Sequence, residues 1–505
     1  MAAVETARPY GGPRTYGNWR RPGSAGLMGL GSLGTAILLG GLIVMIIVIM
    51  FGGLERGLVV GLLLVASLAV ILVRDRHGKN LLARSTAKAS WWQARSQGAH
   101  LYRSGPLGRT PWGTHQLPGL GAALTLSEHQ DSYGRPFVLV HSPAADTYTV
   151  VLATEPDGSS LVDVEQIDAW VADWGHWLAH LADEPNIEAI SVTIETCPDT
   201  GSRLRREVAL NIDPQAPEFA RAMLDEVVHL YPVGSSTVRA FVAMTFNSSG
   251  RVSGKKRPAA EVGRDLSARL PGLTYSLGAT GAGAARPLAA AELCEVVRVA
   301  YDPHAQQWID ECHAQGNPTG LDWSDVGPGA AESTWDGYRH EGAFSITWAM
   351  TSAPRGNVQS GVLARILAPH RDIARKRVTI LYKPIDAARA AAIVEADLRS
   401  AEFRASSANR PSARDSLAVR QAATTASEEA AGAGLVNFGL LVTATVLDVD
   451  QAPEARAAID NLSATARLRL RPMYGSQDVG FIGALPLGLI LTKHLRVPTE
   501  VRDRL

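Results

Sequence analysis

Cysteine is scarce in this chain. Its 505 residues hold three, Cys197, Cys294 and Cys312, widely separated and never in a CxxC pair. That count argues against a disulfide framework or a thiolate zinc site and fits a reducing compartment. Excess charge is missing as well: 49 Lys and Arg balance 49 Asp and Glu, so nothing draws the whole chain toward nucleic acid. GxSxG, HExxH and paired-Cys patterns do not occur. A further absence is local: no charged residue lies between Pro22 and Leu54.

What fills that gap is aliphatic. Residues 33–51 form an apolar block within the roughly 17–25 residues that a crossing helix needs. Residues 36–51 include eleven Ile, Leu, Val or Phe, each favouring insertion by roughly 0.3–0.6 kcal/mol. After Glu55 and Arg56, residues 57–73 are uncharged and hold twelve more. The pattern predicts a two-helix transmembrane hairpin over 33–73 behind a cytoplasmic tail, 1–32. A buried soluble hairpin is the alternative, but two all-round apolar helices side by side in a soluble core are uncommon. Arg8, Arg14, Arg20 and Arg21 precede the hairpin, and Arg74, Arg76, Lys79, Arg84, Lys88 and Arg95 follow it. Basic flanks predict a multi-pass protein of the inner or plasma membrane, with both termini and the main body cytoplasmic. Gly53, Gly57 and Gly61 recur every fourth residue, a spacing for close helix approach that also suits ordinary membrane helices and turns.

Beyond a juxtamembrane segment, 74–130, strand-like and helix-like stretches alternate. Residues 137–141 and 148–153 flank Ser142-Pro143 as a hairpin. Ile167, Trp170, Val171, Trp174, Trp177, Leu178 and Leu181 share helical spacing. Residues 187–195 alternate as a strand, 217–231 carry Phe219, Met223, Val227 and Leu230 on one helical stripe, and 238–246 return as a strand. Helices are expected over 261–270 and 289–301. Strands are expected at 343–350, 377–382 and 438–447, with helices at 358–367, 453–464 and 475–485. Residues 386–432 suggest a helical arm of two helices broken near Pro411. The expected fold class is α+β. After the hairpin come two ferredoxin-like-type lobes with antiparallel sheets, 131–315 and 336–505, joined by a Gly/Pro-rich connector, 316–335.

Candidate chemistry is thin. Residues 250–256, ending in Lys255-Lys256, have one residue too few between the glycines for a phosphate loop, and Lys256 stands where Ser or Thr belongs. Gly281 and Gly283 lack the second spacing of a dinucleotide fingerprint. His304, Cys312 and His313 lie close in sequence but lack a fourth ligand, which favours a solvated loop. Asp163, Glu165, Asp168 and Asp173 fit a helix N-terminus. Trp91 and Trp92 suit either a headgroup layer or a packed helix. No catalytic, cofactor or metal residue is expected.

The runs at 102–109, Pro111-Trp112-Gly113, Leu117-Pro118-Gly119, Leu161-Val162-Asp163, 282–287 and 291–298 resemble a family of actinobacterial membrane proteins encoded beside conjugation-like, type IV secretion genes. More broadly, the chain is similar to a PrgI-like membrane hairpin followed by the non-motor N-terminal half of conjugation ATPases. Gly475-Ser476-Gln477-Asp478, Phe481, Ala484, Leu485, Pro486 and Gly488 resemble the end of that half, with Leu487 inserted and no motor domain following. The resemblance implies a non-enzymatic, membrane-anchored scaffold. It would dock a separate motor ATPase and channel subunits, bind the lipid bilayer, self-associate as a homo-oligomer, and not contact nucleic acid directly. An EccE-like type VII secretion component and a membrane-bound enzyme with an unrecognised site, tested at Lys255, are the rival expectations.

Overall fold

A computed structural model describes residues 14–19, 31–72, 81–106, 108–156, 158–159, 161–230, 236–249, 255–354, 356–407 and 412–495. Arg8, Arg20, Arg21, Arg74, Arg76, Lys79, most of the 250–256 loop and the break at Pro411 lie outside them. The chain divides into two compact units. One contains three helices, α1 (Gly31–Gly52), α2 (Leu54–Leu72) and α3 (Leu81–Ser96). Gly53 turns the chain between α1 and α2 at φ +84°. Gly41 lies against Leu64, Gly57 against Ile49 and Gly61 against Met45, so two of the three spaced glycines serve contact within the chain.

Here the multi-pass expectation is corrected. Among the described residues one helix, Gly34–Gly52, is long and apolar enough to cross a membrane. The second helix takes Glu55 into its first turn. Its uncharged part, 57–72, is about 24 Å long at 1.5 Å per residue, short of the roughly 30 Å hydrocarbon core. With one candidate span, the argument that both flanks share a side fails too.

The other unit is built on one large antiparallel sheet. Its strands are β1 (Leu101–Arg103), β2 (Thr125–Gln130), β3 (Pro136–Ser142), β4 (Thr147–Glu155), β5 (Ile187–Pro198), β6 (Ser236–Asn247), β7 (Ala284–Pro287), β8 (Ala330–Ser333), β9 (Tyr338–His340), β10 (Ala343–Ser352), β11 (Arg375–Pro384), β12 (Val436–Val446) and β13 (Arg469–Pro472). Its helices are α4 (Val164–Asp183), α5 (Ser202–Asn211), α6 (Glu218–Leu230), α7 (Ala259–Gly278), α8 (Ala290–Tyr301), α9 (Ala305–Ala314), α10 (Ala364–Leu367), α11 (Ala387–Ser407), α12 (Ala413–Ala430), α13 (Ala452–Thr465) and α14 (Gln477–Gly483). The fold class is α+β.

Strand order is β1-β8-β9-β10-β12-β11-β5-β6-β4-β3-β2, with β13 also on β10 and β7 also on β4. Outward from the β5–β11 pair, the order is equivalent on both sides. Setting aside a pair of helices inserted after the second strand, each half runs strand, helix, strand, strand, helix, strand: β4-α4-β5-β6-α7-β7, then β10-α10-β11-β12-α13-β13. The correspondence reaches single bonds. Leu152 pairs Pro287 where Trp348 pairs Pro472. Leu288 N donates to Val151 O at 2.9 Å, and Met473 N to Thr347 O at 2.9 Å.

The expected separation into lobes is therefore revised: both halves share the sheet through β5 and β11, from Ile190↔Tyr382 to Thr196↔Lys376. An open edge leaves a row of backbone donors and acceptors unpaired, and joining two edges satisfies both. Part of the expected connector is strand β8, and the sheet already begins at β1, inside the expected juxtamembrane segment.

Period-two alternation gives the sheet two different faces. Val150, Leu152, Ile190, Val242, Met244, Val378, Leu440 and Val442 point to the apolar face, under α4, α7, α10 and α13. The other face carries buried hydroxyls, at Thr149, Thr193, Thr245, Ser345, Thr347, Thr379, Thr443 and Thr445. These pair across strands, as Thr149–Thr245 at 3.0 Å and Ser345–Thr445 at 2.7 Å. The tail beyond α14 seals them: Thr379 Oγ1 donates to Ala484 O and Thr245 Oγ1 to Gly488 O.

Candidate functional site

Two places carry more than packing demands. The first is inside, on the hydroxyl-bearing face where β5 meets β11. Alternation places Glu195 beside Arg377, its register partner, with Arg375 two residues away on β11. Arg377 Nε and Nη2 donate to Glu195 Oε2 at 2.9 and 2.6 Å, and Arg375 Nη1 donates to Glu195 Oε1. Arg375 Nη2 also donates to Gln306 Oε1 on α9. All three charged side chains are almost wholly buried. Burial alone would raise the Glu195 pKa, but Arg375, Arg377 and Arg239 outweigh it and bring the carboxyl down to about 2. Arg375 Nε and Arg377 Nη1 have no hydrogen-bond partner. The cluster breaks the internal correspondence. Counting from Thr193 opposite Thr379, the positions matching Glu195, Arg377 and Arg375 are Leu381, Ser191 and Ala189. A buried charge set with paired partners fixes register strongly, because removing one member strands the others.

On the apolar face, burial holds the Lys376 ammonium down to about 8 while its Nζ donates to Ala368 O. His340 Nδ1 meets the carbonyl of Tyr301 and Nε2 the Ser345 hydroxyl at 2.8 Å. A carbonyl only accepts, so Nδ1 carries the proton and Nε2 accepts from Ser345.

The second place is outside, on α6. Val228 is the buried residue of this helix. Phe219 is 76% exposed, and Met223, Leu224, Val227 and Leu230 are exposed too. The stripe of Phe219, Met223, Val227 and Leu230 marked in the sequence faces outward. Glu226 and, further round, Glu218 border the stripe on its Phe219 side, giving an apolar ridge with an acidic flank. α5 and α6 leave the sheet after β5, and α11 and α12 after the antiparallel neighbour β11, so the two arms emerge from opposite ends of the sheet.

Most sequence candidates resolve into structure. Lys256 pairs with Asp146 at 2.7 Å. Asp168 accepts from the Tyr16 hydroxyl at 2.7 Å, and Glu165 lies in the first turn of α4. His304 stands at the N-cap position of α9 without a side-chain capping bond, while His313 meets Glu295 at 3.0 Å. No group of metal-ligating side chains assembles among the described residues, and all three cysteines are free. The sequence reading missed Glu195, Arg375 and Arg377. The available signal was charge on the inward face of alternating strands.

A family described as a domain of unknown function (DUF8461) matches residues 23–83, a stretch that contains α1 and α2. No curated protein matches the chain.

Proposed function

We propose that this protein is a docking scaffold of a type IV secretion-like apparatus, held at a bilayer by α1, with the α6 ridge receiving a partner protein. The observation that carries it is the outward-facing apolar stripe of Phe219, Met223, Val227 and Leu230. Contiguous exposed apolar surface rimmed by charge marks interaction sites. The partner that suits it presents an amphipathic helix with an apolar stripe and a basic margin, as in helix-in-groove recognition. A separately encoded motor ATPase is our candidate, with channel subunits beside it. We read the two halves of the sheet as two ferredoxin-like units, which offer partners an arm at each end.

The test uses the full chain with a purified conjugation-type motor ATPase. Phe219→Asp with Met223→Asp should weaken binding at least about tenfold, the scale of losing an interface anchor, and leave the unfolding midpoint unchanged. Unaltered binding refutes the docking role, and a large loss of stability refutes the reading of α6 as free surface.

A further inference from the structure

Helix α3 concentrates charge of one sign. Between Asp75 and Glu128 the chain has no acidic residue but seven Lys and Arg, although the whole chain is neutral. Within α3, Arg84, Lys88, Trp91 and Arg95 stand at i, i+4, i+7 and i+11, which gathers them within roughly 60° of the helix surface. Arg84, Lys88 and Arg95 are exposed. The Arg95 guanidinium lies over the Trp91 ring, 5.3 Å from its centroid. Trp92, on the edge of the same face, is 72% exposed. Ala87, Trp91 and Ala94 form a half-buried line along the opposite edge of this face, and the three cations beside it stay exposed.

We infer that this face of α3 binds anionic lipid headgroups, the cations meeting phosphate and Trp92 entering the interfacial layer. A lipid surface is favoured over nucleic acid because α3 belongs to the same compact unit as the apolar helix α1. Tryptophan is also enriched at the membrane interface, and clustered Lys and Arg beside a membrane helix attract anionic lipid. The inference deepens the bilayer tether proposed above, and the experiment separates the two.

The full chain is mixed with phosphatidylcholine vesicles, with or without phosphatidylglycerol, floated, and followed by amide exchange across residues 84–96. Flotation with neutral vesicles tests α1. Phosphatidylglycerol should slow exchange in α3 about tenfold, an effect lost near 0.5 M salt. The triple variant Arg84→Glu, Lys88→Glu, Arg95→Glu should lose this protection, and Trp92→Ala part of it. Flotation with anionic vesicles alone, abolished by the triple variant, would support α3 and refute the tether. Equal α3 exchange in both lipids overturns the inference, as does protection by single-stranded DNA without any from phosphatidylglycerol.

Discussion

The hydroxyls of Thr193 and Thr379 lie 3.1 Å apart, directly opposite one another where the two halves of the sheet join. Thr379 Oγ1 donates its one proton to Ala484 O at 2.7 Å, so Thr193 is the donor within the pair. The two are therefore unequal. Thr379→Val leaves both a buried carbonyl and a buried hydroxyl unpaired and should cost about 2–4 kcal/mol. Thr193→Val removes a donor only and should cost less than about 1.5 kcal/mol. Urea unfolding of both variants measures the difference, and equal losses contradict the assignment.

Gly488 adopts φ +66°, and a methyl there would collide with the hydroxyls of Thr149 and Thr245. Positive φ and a filled site act in the same direction. Gly488→Ala should destabilise by about 2–4 kcal/mol, and proteolysis should then reach the tail after α14 first. A variant as stable as the parent would mean that the tail does not seal the sheet.

Removing the Glu195 carboxylate strands Arg375 and Arg377, so Glu195→Ala should cost about 3–5 kcal/mol. Its pH signature has a definite sign. The folded pKa of about 2 lies below the usual 4.5, so the contribution is complete above pH 4.5 and is lost as pH falls toward about 2. The acid limb of unfolding should be shallower in Glu195→Gln than in the parent.

His340 acts at higher pH. Burial holds its folded pKa near 4 against 6.5, so the unfolded chain takes up the proton first. Stability should fall by about 3 kcal/mol as pH drops from about 6.5 to about 4. His340→Leu, though less stable throughout because the Tyr301 carbonyl loses its donor, should remove that slope. Denaturant midpoints across this range decide it.

For α1, the exposed Val44 and Ile47 mark the middle of the apolar helix. Val44→Arg with Ile47→Arg adds about 2.5–3.5 kcal/mol per charge against insertion. This variant should leave the membrane fraction when cells are broken, whereas retention in high salt would show that α1 is not the tether.

The stretches whose local period agreed with their environment were legible. The helix over 164–183 buries Trp177, Leu178 and Leu181 from the stripe marked in advance. The helix over 261–270 was ended too soon at Pro271, which α7 carries in its interior. Helix α5 was not anticipated, because its Arg-rich run has few apolar positions to mark a face.

Local chemistry alone marked the long periodic helices and the central strands, and made α1 apolar on every side. It does so because side-chain period and uninterrupted hydrophobicity are properties of neighbouring residues. Tertiary structure decided that β5 pairs with β11, which buries Glu195 between two arginines some 180 positions away. It also decided that α6 turns its apolar stripe outward. A periodic stripe specifies that one face is apolar; what covers that face depends on where the rest of the chain goes.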